Sequence, residues 1–431
     1  MLSEKEKGVL QLIDASKEEL VQYLRKLISF KTITPPGDGK AESDDYKKLQ
    51  NSIRKNLEEM GFTIDMWEID AAKLKNFPGS GIEPTKDLSN MPVVVGTLKG
   101  LGKGKSLILN GHYDVVPVGV IDNWSHDPFG GEIQDNKLFG RGACDMKGGI
   151  ASMLAAVKSI KQAGIKLNGD LIVETAPEEE ISGMGTLACC QKGYKADAAI
   201  IPEPTNLDIL IAMRGNASGK VTVFGRAGHA DAGVQPHWTE GGAVNAISKS
   251  VKILQALEEL TEEWKSRPDK QHKLLNPDMV MPTIIRGGEW LIMYPEKVEI
   301  EFNADFIPST VNLKGEIEEK IKSVVATDPW MKAHPPKIEG GYMYGAEIDE
   351  NEPIIKTTSE AARELNIHPK LVGIDSMTDA VHLINYSRIP TISLGAGGET
   401  AHRADEFVDI AQLISATKII ALAILRWCGY S

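Results

Sequence analysis

The chain has 431 residues, of which 42% are hydrophobic and 25% are charged. These fractions are typical of globular proteins and exclude disordered, collagen-like and fibrous classes. Its 48 basic and 60 acidic residues give a formal net charge of −12, which argues against a binding surface for nucleic acid or anionic membranes. At about 150 residues per domain, this length predicts two or three domains.

The N-terminal segment, residues 1–30, carries charges throughout and one apolar face that includes Val9, Ile13 and Leu24. This pattern predicts an amphipathic helix and not a signal peptide. The apolar run at 419–425 is too short to span a bilayer. The four cysteines have no CxxC spacing, which favours a reducing compartment. We therefore expect a cytoplasmic protein that binds neither nucleic acid nor membrane.

Between about residues 106 and 204, short β-rich runs alternate with helical sequence. The predicted elements are strands at 106–110, 170–175 and 198–201 and a helix at 148–163. Such alternation predicts a largely parallel sheet that is covered by helices.

From about Arg214 the sequence changes to longer strands and amphipathic helices. The predicted elements there are strands at 220–224 and 298–306 and helices at 242–264 and 316–325. After residue 335 the first pattern resumes, with a helix at 357–365, a strand at 391–394 and a final helix at 410–427. We therefore predict an α/β fold: a mostly parallel-sheet catalytic domain of residues 1–213 and 335–431, interrupted by an inserted α+β lid domain of residues 214–334.

Acidic and histidine residues follow the predicted strands. In chain order they are His112 and Asp114, the run Glu178, Glu179 and Glu180, then Glu203, and finally His402; Asp145 lies in a glycine-rich turn before a helix. Because the carboxyl ends of parallel strands open onto one edge of a sheet, we expect these side chains to converge there.

Five of these residues form a ligand set that suits zinc: His112, Asp145, Glu179, Glu203 and His402. Taken singly, each residue type is more often a surface or core residue, but the shared placement favours a site. Five protein ligands are too many for one catalytic zinc. If one carboxylate bridges, each of two ions has three ligands, and ions about 3.5–4 Å apart can share a water. The pattern therefore predicts a dinuclear hydrolytic centre.

The motifs GHYDVVPVG, GRGACDMKGG, TAPEEE, PEPT and AHRADE, in this order along the chain, resemble those of the dinuclear zinc amidohydrolases and metallopeptidases. That family includes acetylornithine deacetylase, succinyl-diaminopimelate desuccinylase and carboxypeptidase G. The resemblance implies two Zn²⁺ per subunit, with Co²⁺ as an alternative metal. It implies further that His112 and Glu203 bind one ion, that Glu179 and His402 bind the other, and that Asp145 bridges both.

The resemblance also implies roles for residues that do not bind metal. Glu178 would be the general base, with Glu180, the next glutamate in the run, as an alternative for either glutamate role. Asp114 would fix the imidazole of His112. The inserted domain would be a lid that also forms a homodimer, and His229 in GRAGHA would reach the active site of a neighbouring subunit.

The predicted reaction is hydrolysis of an N-acyl amide bond, such as acetyl or formyl, in a small amine or amino-acid derivative. The main alternative is a metallo-exopeptidase, either a dipeptidase or a carboxypeptidase, that uses the same zinc pair. A non-catalytic metal-binding protein is a remote alternative. A nucleotide-binding oxidoreductase is disfavoured because the chain lacks a GxGxxG fingerprint at GRGACDMKGG.

Three positions depart from the family pattern. Ile292 stands where the family has asparagine, and Asp305 and Val381 stand where it has arginines that meet a substrate carboxylate. A bidentate arginine is the usual partner of an acidic group, and an aspartate repels one. The substitutions therefore predict a substrate without a carboxylate at those places. Whether Asp305 meets a cationic substrate or faces solvent stays open.

Overall fold

The secondary structure comes from a computed structural model that describes residues 1–35, 40–41, 43–75, 77, 80, 87–231 and 233–431. The helices are α1 (Glu4–Ala15), α2 (Lys17–Ile28), α3 (Asp45–Glu59), α4 (Lys147–Gln162), α5 (Met184–Lys192), α6 (Ala246–Ser266), α7 (Leu313–Val325), α8 (Pro329–Ala333), α9 (Pro353–Arg363), α10 (Ala380–His382) and α11 (Ile410–Cys428). The strands are β1 (Thr63–Glu68), β2 (Pro92–Leu98), β3 (Leu107–His112), β4 (Ile133–Gln134), β5 (Lys137–Phe139), β6 (Leu171–Ala176), β7 (Ala198–Ile201), β8 (Ile209–Met213), β9 (Gly215–Phe224), β10 (Met279–Gly287), β11 (Lys297–Phe306), β12 (Lys337–Met343), β13 (Ala346–Glu347), β14 (Leu371–Ile374), β15 (Thr391–Ser393) and β16 (Phe407–Asp409).

Nine strands form the larger sheet, in the order β1-β2-β6-β3-β7-β15-β8-β13 with β14 beside β8. Its central strands β6, β3, β7 and β15 are parallel, whereas β1, β2 and β13 pair antiparallel toward the two edges. The central strands are buried along their whole length, as expected for continuous runs of Val, Ile, Leu and Ala covered by helices on both faces. The predicted α/β fold with a mostly parallel central sheet is confirmed.

The longest helix of the larger domain is part of its core. By length and composition α11 is apolar enough to cross a membrane, and 67% of its apolar window is buried inside the protein. It packs against α4, α9 and α1. This burial identifies α11 as a core helix of the fold.

The N-terminal amphipathic segment forms two helices where the sequence pattern predicts one. The break between α1 and α2 falls at Ser16, whose hydroxyl donates hydrogen bonds to the carbonyl oxygens of Leu12 and Ile13. A serine that binds the preceding turn in this way competes with continuation of the helix. Both helices still bury the apolar face that the sequence predicts.

A second, antiparallel sheet has the order β10-β11-β9-β12, with α6 packed on one face. Its own core includes Val221, Trp264 and Ile300. Arg214 is the single residue between β8 of the first sheet and β9 of the second. The second sheet extends beyond the predicted domain end at residue 334, because β12 pairs with β9 in the register Lys337↔Thr222. The predicted boundary therefore lies too early.

A small third sheet joins two segments that are distant in sequence. Its order is β16-β5-β4, and Phe407 of β16 pairs with Phe139 of β5. This pairing holds the loop that contains His402 beside the turn that leads to Asp145.

Candidate metal centre

The predicted site residues come from five separate segments that meet at one edge of the larger sheet. His112 ends β3, the three glutamates 178–180 follow β6, and Glu203 follows β7. Because these three strands are adjacent and parallel, their carboxyl ends lie together. Asp145 lies immediately before α4, and His402 lies in the loop between β15 and β16.

Two groups of three ligand atoms share Asp145. In the first group, His112 Nε2 lies 3.2 Å from Asp145 Oδ1 and 3.8 Å from Glu203 Oε2. In the second, His402 Nε2 lies 3.2 Å from Asp145 Oδ2 and 2.9 Å from Glu180 Oε2. Within each group the candidate ligand atoms lie within 4.8 Å of one another. Such an arrangement, with one carboxylate facing both groups, can hold a pair of cations.

The glutamate beside His402 differs from the predicted one. The family resemblance implies Glu179 at this position, whereas in the structure Glu180 lies there, at 2.9 Å from the imidazole. Glu179 instead approaches the other histidine, with its Oε2 3.8 Å from Nε2 of His112. Three consecutive glutamates are chemically identical in the sequence, so only the backbone turn decides which side chain faces which histidine.

Glu178, the predicted general base, is buried away from both groups of candidate ligands. Its φ of 72° places it in the left-handed region, and its carbonyl oxygen accepts hydrogen bonds from the amides of Ser182 and Gly183. The Ser182 hydroxyl donates to its carboxylate at 3.2 Å. Neither described group of ligand atoms includes Glu178. The described contacts of Glu178 lie within the turn that it begins, and its role as the general base stays a prediction.

Asp114 lies beneath the site and binds several of its segments. The Nδ1 atom of His112 lies 3.1 Å from the carbonyl oxygen of Asp114 and 3.6 Å from its Oδ1. The Thr34 hydroxyl donates to Oδ2 at 2.6 Å, and the amides of Glu179 and Glu180 donate to the same carboxylate at 3.4 Å. Asp114 therefore contacts both the imidazole, through its carbonyl oxygen, and the glutamate turn, through its carboxylate.

The charges of the site shift several pKa values. Hydrogen bonds to Asp145 and Glu180 raise the pKa of His402 to about 10. Burial alone lowers the pKa of His112, but the charges of Glu179 and its other acidic neighbours raise it well above its usual value. Burial raises the pKa of Glu203 to about 8. The Oε1 atom of Glu203 is buried and has no hydrogen-bond partner in the part of the chain that the structure describes. A cation at this place would satisfy these carboxylates.

Further buried polar residues, for which the sequence predicts no role, surround the site. Asp379 accepts a hydrogen bond from Thr186 at 2.7 Å, and burial raises its pKa to about 7. Thr186 in turn accepts from Asn110, which also donates to the buried Glu174. Glu406, the last residue of AHRADE, binds Arg141 at 2.6 Å. For Glu406, the acidic motif AHRADE was the sequence signal that could have identified it. The contacts of the other residues named here depend on the tertiary fold.

His229 is exposed in the second sheet's domain and is absent from both described groups of ligand atoms. Its Nδ1 accepts a hydrogen bond from the amide of Asp231 at 3.1 Å, and its backbone forms a bridge with Met293. The neighbouring residues Trp290 and Leu291 are strongly exposed. Within a single chain, His229 is therefore not part of the described candidate metal centre.

The two positions that depart from the family's arginines have different surroundings. Asp305 lies on β11, where Asn216 donates to its Oδ1 at 2.7 Å and Asn303 donates to its Oδ2 at 3.1 Å. Val381 is buried, with 1% of its surface exposed. Each carboxylate oxygen of Asp305 thus already accepts a hydrogen bond from an asparagine.

Two curated proteins are similar over almost the whole length of the chain. One is the N-formyl-4-amino-5-aminomethyl-2-methylpyrimidine deformylase of Bacillus subtilis, 30% identical over 97% of this chain and 96% of that protein. The other is the deformylase of the same name from Halalkalibacterium halodurans, 31% identical over 97% of each.

Solved structures share the fold at lower identity. A tripeptidase from Staphylococcus aureus superposes with a TM-score of 0.73 at 18% identity, over 95% of this chain and 98% of that one. A di-peptidase from Saccharomyces cerevisiae gives 0.72 at 16% identity, over 99% of each. Residues 108–426 match the peptidase family M20/M25/M40. The family recognised from the motifs is therefore confirmed, and the chain belongs to peptidase family M20/M25/M40.

Proposed function

We propose that this protein hydrolyses the N-acyl amide bond of a small amine, with an N-formyl group as the best candidate, at a centre of two divalent metal ions. The observation that carries the proposal is the pair of three-residue groups that share Asp145, one oxygen of which faces His112 and the other His402. Two ions bridged by one carboxylate form the arrangement that hydrolytic two-metal sites use.

The residues present fit zinc. His112, Asp145 and Glu203 would hold one ion, and Asp145, Glu180 and His402 would hold the other, since imidazole nitrogen and carboxylate oxygen are common zinc ligands. Bound metal supplies a Lewis acid for the amide carbonyl and lowers the pKa of water. The buried Oε1 of Glu203, without a hydrogen-bond partner among the described residues, supports a cation at this place.

We assign the general base to Glu179. Its carboxylate lies 3.8 Å from His112 Nε2, at the centre but outside both groups of ligands, and 14% of its side chain is exposed. The hydrogen bond from its own amide to Asp114 orients it. In this role Glu179 takes a proton from the attacking water and returns it to the nitrogen of the leaving amine.

The substrate class follows from two lines of support. The relatives with the same chain length remove a formyl group from an aminomethylpyrimidine. In addition, neither expected arginine position carries a positive charge: Val381 is buried and apolar, and Asp305 is acidic. A site without these arginines suits an amine product that lacks a carboxylate.

A substrate panel tests this proposal. The purified protein, loaded with zinc, is assayed with N-formyl-4-amino-5-aminomethyl-2-methylpyrimidine, N-acetylornithine, succinyl-diaminopimelate and a dipeptide, and bound metal is counted by elemental analysis. We expect preferential cleavage of the formyl substrate and close to two metal ions per chain. Preference for the dipeptide would favour the exopeptidase alternative, and preference for the succinyl substrate or fewer than one ion per chain would contradict the proposal.

We also propose that the protein is a homodimer formed through the second sheet. Strand β10 lies at one edge of that sheet among the described strands. Ile285 pairs with the buried Ile300 but is itself 52% exposed. On α6, which packs against β10, Ile247 and Val251 are also exposed. A second copy paired edge to edge would cover this apolar strip.

In such a dimer, His229 would serve the active site of the neighbouring subunit. Its exposure, and its absence from both described ligand groups of its own chain, support this role. Mixing two inactive variants tests it. H229A and E179Q, unfolded together and refolded, should form mixed dimers in which one site has both residues, so that activity returns. Continued inactivity of the mixture, with dimers present, would contradict the role.

The cytoplasm is the proposed compartment. The four cysteines are free, and Cys144, Cys189 and Cys428 are buried. Unpaired cysteines suit a reducing compartment. Cell fractionation with antibody detection should find the protein with cytoplasmic markers, and recovery from an oxidising compartment would contradict this.

A further inference from the structure

Glu406 connects the two segments that supply Asp145 and His402. Its Oε1 accepts hydrogen bonds from the amides of Cys144 at 3.1 Å and of Asp145 at 3.2 Å. Its own carbonyl oxygen accepts from the amide of Gly140 at 2.8 Å. Glu406 is fully buried, although it lies only four residues after the exposed His402.

The second carboxylate oxygen of Glu406 binds Arg141, which holds the same two segments together. Arg141 donates to Oε2 of Glu406 at 2.6 Å, to the carbonyl oxygen of Arg403 at 3.2 Å and to that of Pro117 at 3.2 Å. Only 1% of Arg141 is exposed. An ion pair at this depth costs desolvation energy, so its retention needs a reason other than net stability.

The position of His402 depends on this anchor. The His402 side chain is 54% exposed, whereas that of His112 is fully buried at the end of a strand. Packing therefore fixes His112 but contributes little to fixing His402. Hydrogen bonds restrain the loop on both sides of His402. Before it, the amide of Gly397 donates to Gln412. After it, Glu406 binds Arg141, and Asp405 accepts from the amides of Ser125 and His126.

We infer that Glu406 is a positioning residue that sets the separation of Asp145 and His402 and thereby the metal affinity of the second ligand group. The inference rests on the proposed function, since it concerns the same centre. Glu406 belongs to neither described group of ligand atoms, and its buried carboxylate binds Arg141 and two backbone amides. It acts through the amide of Asp145 and through the loop that carries His402. Outer residues that orient metal ligands typically change affinity 10–100-fold when they are removed.

Paired variants separate positioning from charge balance. R141M removes the buried cation, and R141M/E406L also removes the hydrogen-bond acceptor, while R141M/E406Q keeps an acceptor oxygen without the charge. Replacing both members of a buried ion pair by apolar residues is often tolerated. The readout is zinc affinity, measured by competition with a chromophoric chelator, and folding is checked by circular dichroism. We expect R141M/E406L to lose about 10–100-fold in affinity for the more weakly held ion. We expect R141M/E406Q to recover most of that loss.

A remote ion pair provides the matched control. Arg426 donates to Glu6 at 2.8 Å between α11 and α1, and Glu6 is also buried. E6Q should therefore leave zinc affinity at the wild-type value. If R141M/E406L does not fold, R141M/E406A, which also lacks the acceptor, replaces it, and its zinc affinity must fall while that of E6Q does not. Equal zinc affinities of wild type, E6Q and R141M/E406L would overturn the positioning role of Glu406 and leave the proposed function standing. A wild-type chain that binds no zinc would overturn the proposed function as well.

Discussion

His402 faces Glu180, with 2.9 Å between the imidazole Nε2 and the carboxylate Oε2. This contact shows which way each of the three consecutive glutamate side chains faces. Glu180 belongs to the second group of candidate ligand atoms, Glu179 lies beside His112, and the side chain of Glu178 is buried. The positive φ of Glu178 and the hydrogen bonds from the amides of Glu179 and Glu180 to Asp114 orient the three side chains in this way.

Three single substitutions distinguish the glutamates. E179Q should lower kcat by about 10²–10⁴-fold while both metal ions stay bound, because it removes the base and no ligand. E180Q should lose metal from the second group, and E178Q should keep both metal binding and most of the activity, since Glu178 binds Ser182 inside the turn. Turnover assays and elemental analysis measure both properties. Full activity of E179Q together with an inactive, metal-loaded E178Q would restore the original assignment of the base to Glu178.

Removal of metal should abolish activity and lower stability. The centre gathers the carboxylates of Asp145, Glu179, Glu180 and Glu203 near two histidines, and their repulsion needs a cation to offset it. A metal at 100 times its Kd stabilises the folded state by about 2.7 kcal/mol. Thermal unfolding after chelation should therefore begin at a lower temperature and recover when zinc is added. Unchanged Tm and activity after complete metal removal, verified by elemental analysis, would contradict a catalytic metal centre.

Much of the fold could be predicted because its strands are buried on both faces. The strand at 198–201 has the predicted bounds, and the strands near 106 and 170 are shifted by only one or two residues. The missed strand β12, with the sequence KIEGGYM, follows two prolines and contains two glycines. Such a segment has a weak intrinsic strand preference. It forms because β9 offers a partner, which is a tertiary effect.

The site was predictable wherever chain topology alone places a residue. His112 and Glu203 end or follow parallel strands, so the sheet brings them together. The order of roles within residues 178–180 was not predictable, because three identical side chains differ only in the backbone angles that the turn imposes. The contact of Asp379 was not predictable either, because its partner Thr186 lies on α5, far away in the sequence.

The edge of the second sheet should control assembly. Ile285 is 52% exposed on β10, and I285D places a charge where the proposed second copy would bury an apolar side chain. We expect the dimer dissociation constant to rise about tenfold or more, which corresponds to ~1.4 kcal/mol. Analytical ultracentrifugation over a range of concentrations measures it.

The control for this experiment is L101D. Leu101 is 50% exposed but lies in the loop after β2 of the larger sheet. Its substitution adds the same charge to a similarly exposed position and should leave the dissociation constant unchanged. A monomeric wild type, or equal constants for I285D and wild type, would contradict assembly through β10.

Asp328 should make the second sheet's domain sensitive to acid. Burial raises its pKa, but hydrogen bonds from Lys249 and Lys252 outweigh this and lower it to about 2. Relative to a usual pKa of about 3.8, this shift contributes about 2 kcal/mol of stability, present at neutral pH and lost as the pH falls from about 4 to about 2. D328N should therefore destabilise the protein at pH 7 and much less at pH 2.5, measured by denaturant unfolding. E262Q on α6 is the control. It removes an exposed ion pair with Lys265, which contributes little to stability, so it should leave the stability unchanged at both pH values. An equal loss for D328N at both pH values would assign its effect to helix capping alone.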